Sequence, residues 1–209
     1  MKSKHRFGTL PILLGCGCLV AAAALYGYNG WVSARAAKAS DKLTGKLSSL
    51  LQDAGRAGSA DGVDPLLGNP DSTGSSATAS SLNVNGHETI GIISLPTIDI
   101  TLAVLSTWSY PNLNVSACRY SGTPDGKMVL LAHDYDRHFG RIHELKPGDS
   151  VQFTSTDGRV YRYQVTGTEI RGKYELSEIL SGDWDLTLFT CTYGGENRVV
   201  VRCKRVAGG

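Results

Sequence analysis

The sequence lacks an excess of charge of either sign. It contains 21 lysine and arginine residues and 19 aspartate and glutamate residues, a formal net charge of +2. The basic excess lies in residues 1–83, since residues 84–209 carry 13 basic and 14 acidic side chains. Because nucleic-acid binding depends on cationic surfaces that neutralise phosphates, this balance argues against a nucleic-acid partner. The 209 residues also lack internal repeats of solenoid length and are too few for a multidomain machine.

Charge is absent from most of the N-terminal segment. Basic residues at the start precede an uncharged run over residues 7–34. A helix needs about 20 largely apolar residues to cross a bilayer core, and residues 10–28 meet that length. Basic residues in front of such a helix favour a cytoplasmic N-terminus. The sequence therefore predicts a cytoplasmic stub and single-pass signal anchor over residues 1–35, with the rest of the chain outside the cell membrane.

Two cleaved forms of this segment are the alternatives. Residues 34–36 resemble a signal-peptidase site, and residues 13–16 resemble a lipoprotein box. The apolar region of a signal peptide spans only about 7–15 residues, however, and this run continues well beyond Cys16. An uncleaved anchor fits this length best, with Cys16 and Cys18 as small apolar residues of the helix.

The segment that follows the anchor has few large apolar residues. Residues 36–52 carry leucines at spacings of three and four, which predicts a helical neck. Residues 53–83 are dense in Gly, Ser, Ala and Asp, and they cannot bury enough apolar surface to offset their ordering entropy. We therefore expect a flexible tether there, so that residues 36–83 hold a folded domain, residues 84–209, away from the membrane.

Helical periodicity is scarce in the folded domain, where apolar side chains recur at every second residue. Seven segments are short and rich in β-branched or aromatic residues: 90–93, 98–105, 128–132, 151–154, 160–165, 186–191 and 198–206. Residues 156–158, Thr-Asp-Gly, predict a hairpin turn between two of them. Helical signals are limited to residues 136–145 and 175–180. So many strands with so little helix predict an all-β fold, either a closed barrel or a sandwich.

Cysteine is also scarce, and its distribution is uneven. Cys16 and Cys18 lie in the predicted anchor, and Cys118, Cys191 and Cys203 lie outside it. Three is an odd number in a compartment where disulfides persist, so one thiol is left unpaired. If Cys191 is that thiol, Cys118 and Cys203 remain as an even pair, either a disulfide or two buried free thiols.

The thiol best placed for chemistry is that of Cys191, because it ends a predicted strand and is followed at once by a turn. His133 likewise follows a predicted strand, where a loop begins. A cysteine with a histidine is the minimum set of side chains for thiolate acyl transfer. Cys191 and His133 are therefore the candidate nucleophile and acid–base catalyst.

The last predicted strand begins with Arg198. Side chains alternate along a strand, so Arg198 faces an outer groove beside Cys191 if Val199 and Val201 face the interior. Further along the same strand, we expect Arg202 and Arg205 to be exposed surface residues.

The segment Thr187–Cys191, TLFTC, resembles the TLxTC signature of sortases, the membrane-anchored cysteine transpeptidases of Gram-positive bacteria. Arg198 follows where that family keeps an essential arginine, and His133 precedes both, in the family's order of His, Cys and Arg. Two further segments are similar to sortase sequences: 90–96 and 145–149. The resemblance covers about residues 88–206.

The resemblance implies a closed eight-stranded β-barrel with one or two short helices, preceded by an N-terminal transmembrane helix. It implies cleavage of the sorting motif of surface proteins between Thr and a small residue, followed by transfer through a thioester to an amine of a cell-wall precursor or a pilin. In that scheme His133, Cys191 and Arg198 are catalytic, and no metal or other cofactor is needed. Thr187 and Thr190 would contact the substrate. The subclass is unassigned, with class B-like and class D-like forms both considered.

Two other functions fit parts of the sequence. His133, Asp134, Asp136 and His138 could hold a metal ion in a membrane-tethered hydrolase, because imidazole and carboxylate groups suit zinc. Their spacing matches no standard zinc motif, however, and this function gives Cys191 no role. The other alternative is a tethered binding module without activity, in which Cys191 would not react with a soft electrophile.

Overall fold

The computed structural model describes residues 9–57 and 81–206, which contain a long N-terminal helix, two short helices and nine strands. The helices are α1 (Thr9–Ala57), α2 (Tyr110–Leu113) and α3 (Leu176–Leu180). The strands are β1 (Leu82–Val84), β2 (His87–Leu95), β3 (Ile100–Leu105), β4 (Ala117–Ser121), β5 (Met128–Leu131), β6 (Ser150–Ser155), β7 (Val160–Gly172), β8 (Leu186–Cys191) and β9 (Asn197–Arg205). One 3₁₀ turn, Pro96–Ile98, follows β2, and a second, Ile142–Glu144, precedes β6.

Eight of these strands close into a barrel. Their order is β2-β3-β4-β5-β8-β9-β7-β6, and the ring closes where β2 pairs antiparallel with β6. The pairs β3–β4 and β5–β8 are parallel, and β1 adds to the start of β2. Gly91 lies where β2 pairs with both β3 and β6, and a Cβ there would stand 2.2 Å from the Thr154 carbonyl oxygen. The predicted closed eight-stranded barrel is confirmed, and the sandwich is not formed.

The side chains of every second strand residue fill the barrel interior. In the β6–β7 hairpin, the predicted turn at residues 156–158 joins the strands, and Tyr161, Tyr163 and Val165 are buried while the residues between them are exposed. The Tyr163 hydroxyl donates a hydrogen bond to the Pro124 carbonyl oxygen at 3.2 Å. This buried polar group is therefore satisfied.

The C-terminal half of α1 packs against the outside of the barrel. Leu43 and Leu47 are buried in a cluster with Val84, Ala103, Leu105, Leu113 and Cys118. Strand β4 pairs with β3 only from Val104 onward, so the first part of this edge of β3 has no partner strand. Helix α1 provides a hydrogen-bond acceptor for that part. There the Ala103 N–H donates to Thr44 Oγ1 at 2.8 Å. The segment predicted as a neck is helical, and its leucines pack against the barrel.

The N-terminal half of α1 is apolar and exposed. By length and composition, α1 is the one helix among the described residues that can cross a membrane, and its most apolar window is not buried in the protein. The segments predicted as anchor and neck form one continuous helix. Of the predicted tether, residues 58–80 lie outside the described residues, while residues 53–57 belong to α1 and residues 82–83 to β1.

Two elements near the site, β4 and α2, were not expected from the sequence, because their segments are short and mix polar with apolar residues. The predicted helix at residues 175–180 is α3, whereas residues 136–145 contain only a 3₁₀ turn.

Cys118 and Cys203 are free thiols in different hydrophobic clusters. Cys203 belongs to the barrel interior, and Cys118 packs with α1 on the outside. The disulfide considered for them is therefore wrong, and the alternative of two buried thiols holds. Burial raises the pKa of each thiol to about 12, which makes both unreactive.

Candidate active site

Three neighbouring strands bring the three predicted catalytic residues to one edge of the barrel. Strands β5 and β8 are parallel neighbours, with Leu131 opposite Phe189, so their carboxyl ends meet. Cys191 ends β8, and His133 lies two residues beyond β5. Arg198 on β9 is the cross-strand partner of Cys191. All three line one cavity of about 290 Å³.

The rest of the cavity wall is mainly apolar and aromatic. It includes Trp108, Tyr110, Leu113, Tyr120, Leu131, Leu176, Ile179 and Phe189. Trp108 stacks on Tyr120 with ring centroids 5.8 Å apart, and Tyr120 meets Phe189 edge-on at 5.8 Å. Such a wall suits an apolar side chain of a peptide that lies beside the nucleophile.

His133 is half-buried, and its ring stacks on Tyr135 with centroids 4.7 Å apart. Burial lowers the pKa of His133, and the neighbouring Asp134 carboxylate opposes that shift without cancelling it. The imidazole is therefore neutral at pH 7. Neutral imidazole is the form that can take a proton from a thiol.

A tight loop fixes the backbone around His133. The Thr190 hydroxyl donates to the Ala132 carbonyl oxygen at 2.8 Å, so the loop is tied to β8. Gly140 passes so close to the start of the loop that a Cβ there would stand 2.5 Å from the Asp134 carbonyl oxygen. Thr190 lines the cavity, as predicted for a substrate contact, but its hydroxyl is used to hold the residue before His133.

Cys191 is half-exposed in the cavity. Among the cysteines that the structure describes outside α1, it alone is not buried. An accessible thiol that shares a cavity with a neutral imidazole meets the requirements for nucleophilic catalysis.

Arg198 is half-buried, with its guanidinium tied to the β8–β9 turn. Its Nη1 donates to the carbonyl oxygens of Gly195 and Asn197 at 3.0 and 2.9 Å. Val199 and Val201 face the interior core, which turns Arg198 to the outer side and into the cavity. A planar cation fixed in this way can donate to a peptide carbonyl or to a developing oxyanion.

Thr187 and Arg202 do not lie where sequence reasoning put them. Thr187 is buried outside the cavity lining, and its Oγ1 accepts a hydrogen bond from Arg202 Nη1 at 3.1 Å. It therefore supports Arg202 and has no access to a substrate in the cavity. The expected exposure of Arg202 is wrong, since only 5% of its surface is accessible. Arg205 is exposed as expected, with its guanidinium over the Tyr161 ring.

The residues considered for a metal site do not converge. His138 is fully buried, whereas Asp136 is exposed. Across the residues that the structure describes, no group of three or more His, Cys, Asp or Glu side chains is arranged to hold an ion. This geometry does not favour the metal-dependent hydrolase.

Sequence reasoning missed most of the cavity wall. Trp108, Tyr110 and Tyr120 come from segments for which no strand or helix was predicted, and α3 adds Leu176 and Ile179. A signal for the aromatic residues existed, because only 8% of the sequence is aromatic and these three lie close together. No local signal marks the two α3 residues, which reach the cavity through the packing of α3 on the barrel.

A closed barrel in which a cysteine, a histidine and an arginine line one cavity has the side chains that cysteine acyl transfer requires. The family model of the sortase domain matches residues 93–206, more than half of the sequence. The chain therefore belongs to the sortase family of cysteine transpeptidases, and the resemblance carried by TLFTC is confirmed. No curated protein matches the chain.

Solved structures of sortases are similar to this chain. Sortase C1 from Streptococcus agalactiae is 28% identical, with a TM-score of 0.55, covering 63% of this chain and 74% of that one. Sortase C of Streptococcus pneumoniae is 27% identical, with a TM-score of 0.54, covering 58% of this chain and 70% of that one. A sortase D5 transpeptidase from Clostridium perfringens, at 18% identity and a TM-score of 0.51 over 57% and 79% of the two chains, shares the fold.

Proposed function

We propose that Cys191, His133 and Arg198 are the catalytic residues of this sortase and that it joins surface proteins to an amine acceptor outside the cell. The observation that carries the proposal is the single cavity that all three residues line. The family supplies the reaction type, cysteine transpeptidation.

In the first step, Cys191 Sγ attacks the carbonyl carbon of the scissile peptide bond. His133 takes the thiol proton, because its lowered pKa keeps it neutral at pH 7. The S–C bond forms, the C–N bond breaks, and His133 passes the proton to the departing amine. A thioester on Cys191 remains, so the energy of the acyl bond is conserved.

In the second step, the acceptor amine attacks the thioester carbon. His133 receives the proton that the amine loses as the new C–N bond forms. The S–C bond breaks, and the proton returns to Cys191. The exchange of one amide for another needs no ATP, which suits a site outside the membrane.

Arg198 stabilises the oxyanion that forms in both steps. Its tie to the turn carbonyls of Gly195 and Asn197 orients the guanidinium before the substrate arrives, so little reorganisation is needed in the transition state. The remaining N–H groups can also grip the carbonyls of an extended peptide.

The substrates we propose are surface proteins with a C-terminal sorting motif. The aromatic and aliphatic wall beside Cys191 fits an apolar side chain of that motif. Pilin substrate specificity is described for the sortase C of Streptococcus pneumoniae. For this chain, a pilin lysine or an amine of a cell-wall precursor is the acceptor we propose.

The location we propose is the cell membrane, with α1 as a single-pass anchor and the barrel outside. The exposed apolar half of α1 supports the anchor. The basic residues before it support a cytoplasmic N-terminus.

The test is cleavage of a library of fluorescent sorting peptides by the full chain in detergent, with and without an added amine. We expect one motif to be preferred, and the amine to divert product from hydrolysis to transfer. Cys191→Ala and His133→Ala should abolish release, while Cys18→Ala and His87→Ala, outside the cavity, should keep the parent rate. Turnover by Cys191→Ala would contradict the mechanism, and an amine without effect would make the enzyme a peptidase.

A further inference from the structure

Strand β9 buries a second arginine that the mechanism does not use. Arg202 lies four residues beyond Arg198, on the same side of the strand, and its side chain is 6% exposed. A buried guanidinium cannot lose its charge, so its burial is unfavourable unless partners replace the water around it.

The partners of Arg202 come from three directions. Its Nε donates to Glu169 Oε1 on β7 at 2.8 Å, and its Nη1 donates to Thr187 Oγ1 on β8 at 3.1 Å. Nη1 also donates to the Ile179 carbonyl oxygen at 2.6 Å, and Nη2 donates to the Glu178 carbonyl oxygen at 2.9 Å. The last two acceptors belong to α3, so the guanidinium binds the carbonyl end of that helix.

Glu169 is held as a charged partner. Burial raises its pKa, but hydrogen bonds and charge interactions with Arg171 and Arg202 outweigh burial and keep the pKa of Glu169 below its ordinary value. The carboxylate therefore joins two guanidinium groups, one of which, that of Arg171, also reaches the Glu178 carboxylate on α3.

Helix α3 depends on such contacts. A helix of five residues has too few internal hydrogen bonds to be stable alone, and the carbonyl groups of its last turn lack partners within the helix. Arg202 supplies partners for two of these carbonyls and a positive charge at the end of the helix where it is favourable.

The opposite side of α3 forms part of the cavity beside Cys191. Leu176 and Ile179 line that cavity, and Ile179 is buried against Val129, Phe189 and Val200. Arg202 thus holds Ile179 by its backbone, while the Ile179 side chain forms the wall. A movement of α3 by a fraction of an ångström would change the width of the cavity.

We propose that Arg202, supported by Glu169 and Thr187, is a positioning residue that sets the α3 wall of the substrate cavity and so determines which apolar side chain of the sorting motif is accepted. This inference rests on the proposed function, because it takes the cavity beside Cys191 as the peptide site. It also gives the first threonine of TLFTC a role: Thr187 accepts a hydrogen bond from the arginine that holds α3.

The test compares Arg202→Lys with the matched control Arg205→Lys in the full chain. Lysine keeps the charge near Glu169, but it cannot reach both α3 carbonyls and Thr187 from one nitrogen. For the preferred sorting peptide we expect KM to rise by at least about tenfold, with kcat changed by less than about threefold, since ground-state and transition-state binding are lost together. Preference for the best apolar residue over alanine should fall by a similar factor, and the control should match the parent.

Two measurements separate positioning from general damage. The rate at which a small thiol reagent alkylates Cys191 should stay within about twofold of the parent, because the nucleophile is untouched. Hydrogen exchange at the amides of α3 should quicken, while exchange in β8 and β9 stays slow. If Arg202→Lys fails to fold, Thr187→Val removes one acceptor at constant shape and should give the same pattern to a smaller extent.

A double substitution decides whether Arg202 acts through α3. Leu176→Ala alone should also raise KM, and the combination with Arg202→Lys should raise it little more than the larger single change, because both act on one wall. Additive effects, an unchanged KM in Arg202→Lys, or slowed alkylation would overturn the inference.

The parent enzyme and Cys191→Ala, assayed alongside, test the proposed function separately. If the proposed function is wrong, the parent will show no motif-dependent cleavage.

Discussion

Two regions on the outside of the barrel each bury a basic side chain, and they do so in opposite ways. Beneath α3, Arg202 keeps its charge because a carboxylate, a hydroxyl and two carbonyls surround it. His138 lies in a loop that the ion pair between Arg137 and Asp41 links to α1. It is fully buried, and its ring lies beside the backbone of Ala36 without the full set of partners that Arg202 has.

Burial and, to a smaller extent, the charge of nearby His133 together lower the pKa of His138 to about 4, against opposing effects of Asp41 and the Ala36 backbone. The imidazole is therefore neutral at pH 7. The difference shows that a buried base needs either a full set of partners or the loss of its charge. Arginine can take only the first course and histidine can take the second.

The largest expected effect is on the region beneath α3. Arg202→Ala leaves Glu169 and two α3 carbonyls without their shared partner, so we expect the free energy of unfolding to fall by about 3–5 kcal/mol. Urea denaturation of the full chain measures this loss. A change below about 1 kcal/mol would show that the buried pair does not hold this region together.

The second effect concerns pH and the region beside α1. In the unfolded chain His138 titrates near its ordinary pKa of 6.5, and in the folded chain near 4, so only the unfolded state gains the proton between these values. Stability should therefore be complete above pH 6.5 and should fall by about 3 kcal/mol as the pH drops to 4.

Denaturation of the parent, His138→Phe and the exposed control His143→Phe over this pH range checks the expectation. His138→Phe should flatten the pH dependence, and His143→Phe should leave it as in the parent. An equally steep dependence in His138→Phe would assign the loss to other groups, such as His133.

The third effect compares Arg198 with Arg202 on the same strand. Arg198→Lys should lower kcat/KM by at least about 10²-fold, the scale of one lost oxyanion donor, because lysine keeps the charge but not the planar donors. Its thermal unfolding should match that of the parent, since Arg198 is only half-buried. Parent-like turnover by Arg198→Lys would remove Arg198 from the catalytic residues.

The smallest effect is expected at Arg205, which is partly exposed and lies over the Tyr161 ring. Arg205→Lys should change the free energy of unfolding by less than about 0.5 kcal/mol and leave kcat/KM unchanged. Thermal unfolding and peptide cleavage measure both. A larger loss would mean that exposure alone does not separate Arg205 from Arg202.

The strands and the residues that we propose as catalytic could be predicted because their signals are local. Period-two alternation marks the β6–β7 hairpin, and the segment TLFTC places Cys191 at a strand end. Parallel pairing of β5 with β8 then brings His133 to the same edge. That pairing is not itself visible in the sequence, but the order of His, Cys and Arg pointed to the same three residues.

The wrong predictions concern which elements pack on the outer side of a strand. Alternation correctly puts Arg198 and Arg202 on the outer side of β9, but it does not show that α3 lies over Arg202. The same limit explains Thr187, which was expected at the substrate and lies beneath α3. Cys118 and Cys203 looked like a pair by count, yet the barrel wall separates their clusters.

By itself, then, the sequence determined the apolar run of α1, the alternating strands, the sortase signature and the nucleophile that we propose, because each depends on residues close together in the chain. Only the tertiary structure decided that α1 packs on β3, that Trp108 and Tyr120 face Cys191, and that α3 covers Arg202. These contacts join residues far apart in sequence. Their free energy comes from burial and from pairing of buried polar groups, and both exist only when the chain has folded.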